Sequence, residues 1–407
     1  MKVLGRETGG SLANPLHTLL ELDEAAKASK GLKHTPREIF QQPETWKDTY
    51  SYCLGRKAEI RGFLENAGIW NSNDSPMVFL VGAGSSDYIG RALVHLLRRQ
   101  WRRGVSAVAS TELLLDAENY LLPGRKYLWI SFSRSGDSPE GVAVLQNALR
   151  AHPQVRHLVV TCNAQAKMVQ ICAENRERAL ALILGEAVND RGLAMTSSFT
   201  NMVVAGQVLA HIQDLPAYAA TLDCMAKLGA RVLATAPEVA QAIVERGSSR
   251  ACFVGSAALA AVADECALKL VELTGGKVQT MAQTTLGLRH GPMSAIDQGT
   301  LFVQFLSGDS RHRNYEMDLL GEVGKKKLAG ARLVVTGEKV EALAGLAEYV
   351  LCLDAPPNFP DDCRPPLDVM IGQLLGLFAS LRAGLQPDNP SPSGAISRVV
   401  SGVKLHL

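Results

Sequence analysis

Short apolar runs alternate with amphipathic stretches along most of the chain, in an order that occurs twice. Helical spacing of apolar residues follows several of the runs, most clearly at 89–97, 141–149, 258–273 and 314–322. The runs predict two sets of strands, at 77–81, 127–132, 158–161 and 180–184 and then at 251–254, 301–306, 332–335 and 349–353. Strands that alternate with helices indicate parallel sheets, and continuously apolar strands indicate helices on both faces of each sheet.

The order therefore predicts an α/β protein with two tandem doubly wound parallel-sheet domains. Residues 1–50 are predicted to form a helical N-terminal extension, because they are polar and interrupted at Pro15 and Pro36. We assign 51–215 to the first domain and 216–407 to the second domain with a C-terminal tail. In doubly wound sheets, ligands bind at the carboxyl ends of the strands, so the candidate chemistry is sought there.

The composition of the chain excludes several classes of function. The net charge is +2, from 42 basic and 40 acidic residues, which gives no electrostatic footprint for nucleic acid. No run reaches the roughly 20 apolar residues of a membrane helix, and the first ten residues lack the apolar core of a secretory signal. The 8 cysteines contain no Cys-x-x-Cys pair and several lie in apolar runs. We expect a cytoplasmic protein that binds neither nucleic acid nor a membrane.

A hydroxyl-rich segment follows the predicted strand at 127–132. We call residues 133–138 the serine loop, and its hydroxyls belong to Ser133, Ser135 and Ser138. Gly136 relaxes the backbone, and the following proline suits a first helical turn. Capping a helix needs one hydroxyl, and this turn has four when Ser131 at the end of the strand is included, so a phosphate site at a helix N-terminus is the favoured interpretation. Arg134 either contacts the phosphate or is an ordinary exposed loop arginine.

The turn after the first strand, GAGSSD at 82–87, is similar to a dinucleotide-binding turn only in part. Asp87 stands where the third glycine of that motif belongs, and a carboxylate there would repel pyrophosphate. Ser85 and Ser86 instead add hydroxyls to the edge of the sheet that carries the serine loop. We therefore expect no nucleotide cofactor.

A second group of charged residues lies on the predicted helix 258–273. Glu265, Lys269 and Glu272 are spaced by four and three residues, so they share one helical face. A solvated row of ion pairs is the simpler interpretation of that spacing. His290 changes the balance, because it precedes Gly-Pro on a turn, and a carboxylate and an imidazole near a phosphate can move protons on a sugar phosphate. The scattered histidines and cysteines predict no metal site.

Several segments together resemble a known family. The serine loop, GAGSS at 82–86 and RHGP at 289–292 are similar to sugar isomerase (SIS) domains, which occur in tandem in the isomerase half of glucosamine-6-phosphate synthase. A closer resemblance is to the galactosamine-6-phosphate deaminase/isomerase family, also labelled tagatose-6-phosphate ketose/aldose isomerase. The segments that carry it are GLAMTSSFT at 192–200, GLRHGP at 287–292, RNYEMDLL at 313–320 and PSGAISRVV at 392–400.

The resemblance implies roles for particular residues. Glu272 matches the carboxylate that moves a proton between C1 and C2, with Lys269 and Glu265 one and two turns before it. His290 matches the histidine that assists ring opening, which in the synthase comes from the neighbouring subunit, so a homodimer or higher homo-oligomer is expected. The positions matched to substrate or phosphate contacts are Ser85, Ser86, Ser133, Arg134, Ser135, Ser138, Thr196 and Ser197. Lys404 lies near the position of a catalytic lysine of the synthase, without matching it.

The implied reaction is deamination and isomerisation of galactosamine 6-phosphate to tagatose 6-phosphate and ammonia, without a cofactor. Two alternatives stay open at this point. An aldose–ketose isomerase of a neutral sugar phosphate would use the same base without an amine. A non-catalytic sugar-phosphate sensor would use the same domain type, usually behind an N-terminal DNA-binding segment that is not evident in residues 1–50.

Overall fold

The computed structural model describes residues 14–71, 74–400 and 402–406. Their contacts form two compact units. The first unit contains Glu44–Asp190, Ser197–Asp223 and the described residues from Ile396 onward. The second unit contains the described residues up to Pro43, Arg191–Thr196 and Cys224–Ala395. The predicted domain limits cut the chain into consecutive stretches. Each of these two units instead contains several stretches that are separated in the sequence.

Between residue 14 and the first strand, the described residues form five helices. Pro15 and Pro36 each stand in the first turn of a helix, where the missing N–H removes no intrahelical hydrogen bond. The Asn14 side chain caps the first helix by accepting a hydrogen bond from the Leu16 amide at 2.9 Å. The helices are α1 (Pro15–Leu20), α2 (Glu24–Lys30), α3 (Thr35–Phe40), α4 (Gln42–Gly55) and α5 (Lys57–Asn66). The predicted helices are confirmed from residue 14 onward, and residues 1–13 lie outside the described part.

The first unit contains a five-stranded parallel sheet. Its elements are β1 (Met77–Gly82), α6 (Ser85–Trp101), β2 (Val105–Ala109), α7 (Ser110–Tyr120), β3 (Tyr127–Ser133), α8 (Pro139–Ala151), β4 (Val155–Thr161), α9 (Lys167–Glu174) and β5 (Ala179–Ile183). The strand order is β2-β1-β3-β4-β5. In the register of the central pair, Val81 lies opposite Ser131, so the turns after β1 and β3 leave from the same edge.

Two helices follow the first sheet, α10 (Ser197–Ala210) and α11 (Leu215–Glu245). Every residue of α10 is buried. A Cβ added to Gly206 would lie 2.2 Å from Leu93 Cδ1, so the glycine lets α10 pack directly against α6. A turn at 211–214 separates α10 from α11.

The second unit contains a second five-stranded parallel sheet. Its elements are β6 (Arg250–Gly255), α12 (Ala258–Leu273), β7 (Gln279–Thr284), β8 (Thr300–Leu306), α13 (Ser310–Lys325), β9 (Ala331–Thr336) and β10 (Tyr349–Cys352), followed by α14 (Pro365–Arg382). The order β10-β9-β8-β6-β7 is that of the first sheet when β6 is matched to β1. The predicted α/β fold with two doubly wound parallel sheets is confirmed.

Each sheet has one strand more than the apolar pattern predicted. The missing strands, β2 and β7, follow the first helix of each repeat and lie at an edge of the sheet. β7 has the sequence QTMAQT, with no residue fully buried, and β2 has the short sequence VSAVA. An edge strand packs less of its surface than a central strand, so it needs no continuous apolar run.

The turn between β1 and α6 has a close counterpart between β6 and α12. Gly84 has φ 57° and ψ −128°, and Ala257 has φ 51° and ψ −123° at the matching N-cap position. Glycine adopts this conformation without strain, whereas an alanine held there is strained by about 1–3 kcal/mol. The second repeat therefore carries strain at the start of α12.

Replacing Ala257 by glycine is expected to stabilise the fold by about 1 kcal/mol, because relief of strain exceeds the extra freedom of the unfolded chain. Urea unfolding of the variant measures this change. The control is Ala260→Gly inside α12, which should destabilise by a similar amount, about 1 kcal/mol. If both glycines destabilise equally, the backbone at Ala257 is not strained.

His157 is a fully buried titratable group in β4. Its ring packs edge-on against Trp129 with centroids 5.5 Å apart, and within the described residues neither ring nitrogen has a hydrogen-bond partner. Burial lowers the pKa of His157 to about 3, with the positive charges of Arg178 and His152 acting in the same direction. The folded protein therefore holds a neutral imidazole at every pH at which enzymes ordinarily work.

The neutral His157 predicts acid sensitivity. Below pH 6.5, the ordinary pKa of histidine, His157 binds a proton in the unfolded chain but not in the native state. The free energy of unfolding therefore falls as the pH falls. The loss is about 1.4 kcal/mol per pH unit, or about 2 kcal/mol at pH 5. The free energy of unfolding of His157→Phe, measured between pH 5 and 8, should lack the contribution of His157 to the loss at low pH. His95→Phe, a substitution at an exposed position, should keep that contribution. Identical pH profiles for wild type and His157→Phe would contradict the prediction.

Candidate functional site

The serine loop connects β3 to α8, and glycine fixes its path. Gly136 has φ +61°, and a Cβ added to it would lie 2.5 Å from Ala166 Cβ. The amide of Gly136 donates to Ser133 Oγ at 3.1 Å, and the amide of Asp137 donates to Ser135 Oγ at 3.2 Å. Each hydroxyl oxygen thus accepts from the loop's own backbone, and its proton stays available to donate.

The one carboxylate in the loop is held away from the hydroxyls. Asp137 accepts a hydrogen bond from the Lys167 amide at the start of α9, at 2.8 Å, and another from Asn163 Nδ2 at 3.1 Å. Ser138 occupies the N-cap position of α8, but its side chain makes no capping hydrogen bond. The first turn of this 13-residue helix therefore leaves amides for an anion.

Ser85 and Ser86 begin α6 at the adjacent turn, beside β3 in the sheet. Both are largely buried, and a Cβ on Gly82 would lie 2.4 Å from the Ser86 carbonyl oxygen, so the turn closes tightly only with glycine. Asp87 is also buried and pairs with Arg91 at 2.8 Å. Burial raises the pKa of Asp87, and the positive charge of Arg91 opposes that increase. The predicted serines after β1 and β3 thus share one edge of the first sheet.

Arg134 has a structural role that the sequence did not reveal. It is 6% exposed, so the interpretation as an exposed loop arginine is wrong. Its guanidinium donates to the backbone carbonyl of Arg398. Arg398 in turn donates to the Asp190 carbonyl at 2.7 Å and to Asn189 Oδ1 at 2.8 Å. Arg398 therefore binds the C-terminal segment to the loop after β5. It belongs to the segment PSGAISRVV at 392–400, which contributes to the family resemblance.

Thr196 and Ser197, also predicted to contact substrate, are fully buried. Asp190 accepts hydrogen bonds from the amides of Ser197 at 3.1 Å and Ser198 at 2.8 Å, so it caps α10. Gln373 Nε2 lies 3.4 Å from the Thr196 carbonyl oxygen. These contacts give both residues a place in helix capping and packing, and their substrate contact stays a prediction.

In the second unit, α12 carries the predicted row of charges. Lys269 Nζ lies 2.5 Å from Glu272 Oε2 and 3.4 Å from Glu265 Oε1. The side chains of Lys269 and Glu265 are 1% and 0% exposed, whereas that of Glu272 is 23% exposed. A solvated row of ion pairs is therefore excluded. The buried pair holds Glu272 by a charge-assisted hydrogen bond at the one position of the row that solvent reaches.

The position of α12 depends on α14. A Cβ added to Gly372 would lie 2.7 Å from the Cα of Cys266, and one added to Gly376 would lie 3.1 Å from the Lys269 carbonyl oxygen. Only glycine permits this approach of the two helices. The packing of α14 therefore fixes the backbone from which Lys269 and Glu272 project.

His290 is exposed on a 3-10 turn after β7. Leu288 anchors this turn in the core, and Arg289 pairs with Glu322 at 2.8 Å. Gly291 continues the chain with φ +119°, a conformation that favours glycine. No described residue forms a hydrogen bond or ion pair with the His290 imidazole. Lys404 is exposed in the C-terminal segment.

The structure thus gathers the predicted residues in two groups: the serines at the edge of the first sheet, and the carboxylates and lysine on α12. Across the described ranges, no group of three or more His, Cys, Asp or Glu side chains is arranged to hold a metal ion. The described helices include none with the length and hydropathy to cross a membrane.

Comparisons with known proteins agree with this architecture. A sequence model of the SIS domain matches residues 246–380. AgaS of Streptomyces coelicolor is 36% identical over 378 residues, covering 92% of this chain and 95% of that protein. The D-galactosamine-6-phosphate deaminase AgaS of Escherichia coli is 33% identical, covering 91% and 95%. The crystal structure of tagatose-6-phosphate ketose/aldose isomerase from Escherichia coli aligns with a TM-score of 0.80 at 29% identity, covering 92% and 96%. The chain belongs to the AgaS family of SIS-domain proteins.

Proposed function

We propose that the protein converts galactosamine 6-phosphate and water to tagatose 6-phosphate and ammonia. The observation that carries the proposal is the row on α12, in which two buried side chains hold a partly exposed Glu272 carboxylate. The serine loop, whose own carboxylate is tied to α9, supports a second part, recognition of the substrate phosphate. The names of the Escherichia coli relatives support the choice of substrate.

The chemistry assigned to the residues is proton transfer. His290 assists opening of the sugar ring, which exposes the aldehyde at C1. Glu272 removes the proton from C2 and returns it to C1, so the C2 amine becomes an imine and C1 a primary alcohol. Water adds to the imine carbon and ammonia leaves, which gives the ketone. Lys269 orients the Glu272 carboxylate, and Glu265 holds Lys269 in place.

Ammonia release distinguishes this reaction from its alternatives. A coupled assay with galactosamine 6-phosphate should release one ammonia per tagatose 6-phosphate formed, with glucosamine 6-phosphate as the C4-epimeric control. A simple isomerase would interconvert tagatose 6-phosphate and its neutral aldose without releasing ammonia from either amino sugar. A sensor would bind the sugar phosphate and turn over none of these compounds.

The proposal includes a cytoplasmic homodimer in which His290 acts at the site of the partner subunit. The exposed imidazole supports this arrangement, because a side chain that serves a neighbouring subunit must be accessible on its own chain. The cysteines are free thiols, mostly buried, which supports a reducing compartment.

Mixing two inactive variants tests the shared site. Glu272→Gln and His290→Ala should each be nearly inactive, but a heterodimer would contain one site with neither substitution. Random reassociation in equal amounts should restore about a quarter of wild-type activity. If subunit exchange is demonstrated and activity stays at the level of the parents, His290 acts within its own chain or not at all.

A further inference from the structure

The tetrapeptide Ser-Gly-Asp-Ser occurs in both repeats, at 135–138 and at 307–310. Each copy follows the matching central strand, β3 or β8, and leads into a helix, α8 or α13. In both copies the aspartate amide donates to the first serine hydroxyl, at 3.2 Å in the first and 3.0 Å in the second, although only the glycine of the first copy has a positive φ. The two copies differ in whether a carboxylate accepts hydrogen bonds from the serine hydroxyls.

In the second copy, a carboxylate from a distant part of the chain accepts hydrogen bonds from the turn, and the buried Glu316 of α13 accepts another from the Ser307 amide at 2.7 Å. Asp361 Oδ2 accepts a hydrogen bond from Ser307 Oγ at 2.5 Å, and Asp361 Oδ1 accepts from the Gly308 amide at 3.0 Å. Arg364 Nη1 donates to the same Oδ1 at 3.0 Å. A hydroxyl, a backbone amide and a guanidinium directed at one carboxylate form the donor set that proteins use for phosphate.

The helix after the second copy is capped as well. Asp309 accepts hydrogen bonds from the amides of Arg311 at 2.9 Å and His312 at 3.0 Å. In the first copy the matching Asp137 is bound to α9, and Ser138 makes no capping hydrogen bond. Among the described residues, no carboxylate accepts a hydrogen bond from the hydroxyls of Ser133, Ser135 or Ser138. The serine hydroxyls of the first copy therefore donate to no carboxylate, whereas Ser307 of the second copy donates to Asp361.

We propose that the turn at Ser307–Gly308 is an anion site whose ligand is built into the chain, and that the Asp361 carboxylate excludes phosphate from it. Each chain then has one phosphate site, although both repeats carry the same tetrapeptide. Arg364 supports the arrangement, since it is 1% exposed and also binds Asp368 at 3.0 Å and the Leu306 carbonyl at 2.6 Å. These two contacts hold the Arg364 guanidinium beside the turn through groups other than Asp361.

The test is whether removal of the carboxylate creates phosphate binding. In a Ser135→Ala/Ser138→Ala background, which weakens binding at the first copy, Asp361→Ala is compared with Asp318→Ala, an exposed carboxylate on α13 that makes no contact with the turn. Thermal unfolding is followed in increasing inorganic phosphate at constant ionic strength. At phosphate tenfold above its dissociation constant, Asp361→Ala should gain roughly 3–6 °C in Tm, and Asp318→Ala and the background should gain none.

Equal responses of the two variants to phosphate would overturn the inference. If Asp361→Ala does not fold in buffer, recovery of the fold in phosphate supports it, and Asp361→Asn provides a second variant of similar size. Failure of both variants to fold at any phosphate concentration would also overturn it, because the carboxylate would then be needed for a reason other than its charge on these donors. The outcome does not depend on which reaction the protein catalyses.

Discussion

Replacing Glu272 by glutamine is expected to lower kcat for ammonia release by about 10³, within the range of 10²–10⁴ typical of a general base. Glutamine keeps the size of the side chain and can still accept a hydrogen bond from Lys269, but it cannot take a proton from C2. KM should change only a few-fold, because the groups assigned to the phosphate are untouched. Steady-state kinetics with galactosamine 6-phosphate measures both constants.

Two further measurements isolate the role of Glu272. Exchange of the C2 proton with D₂O, followed by NMR, should be lost in Glu272→Gln together with ammonia release. The control is Glu341→Gln, whose side chain is 89% exposed, and it should leave both unchanged. Ammonia release by Glu272→Gln within tenfold of the wild-type rate would remove the carboxylate from the proton transfer.

Replacing Ser135 and Ser138 together by alanine is expected to weaken binding of the sugar phosphate by about 10²–10⁴. Each hydroxyl donates to a charged oxygen in the proposed complex, and a hydrogen bond to a charged group contributes about 1.5–3 kcal/mol. The effect should be selective for the phosphate. The inhibition constant of inorganic phosphate should rise in parallel with KM, and that of unphosphorylated galactosamine should stay constant.

The matched control for this double variant is Ser51→Ala, at an exposed position of α4. It should bind phosphorylated and free sugars as the wild type does. An equal loss of affinity for both sugars in the Ser135→Ala/Ser138→Ala variant would place the phosphate elsewhere, even if overall activity fell.

The sequence predicted the central strands, and the structure shows why. Strands covered on both faces must be apolar along their length, as β3 and β8 are, and such runs are visible without coordinates. The edge strand β7 is polar and partly exposed, so its pattern does not differ from that of a loop. Helix α12 was predicted at its observed limits, because its apolar spacing is uninterrupted.

Candidate residues were predictable where one local segment contains them. The serine loop and the row on α12 are each contiguous, and their spacing alone indicates a shared turn or face. The partners that determine which groups stay available come from far along the chain. Asp361 lies 54 residues from Ser307, and Arg398 lies 264 residues from Arg134. No spacing rule connects such pairs, so only the fold reveals that Asp361 binds the turn after β8.

A crystal structure with the open-chain analogue 2-amino-2-deoxygalactitol 6-phosphate would test the account most directly. The account predicts phosphate oxygens within about 2.5–3.0 Å of the hydroxyls of Ser135 and Ser138, and a Glu272 carboxylate oxygen within about 3.5 Å of C2. A complex with the phosphate bound away from these hydroxyls, or with C2 beyond the reach of any Glu272 carboxylate in the assembly, would contradict it.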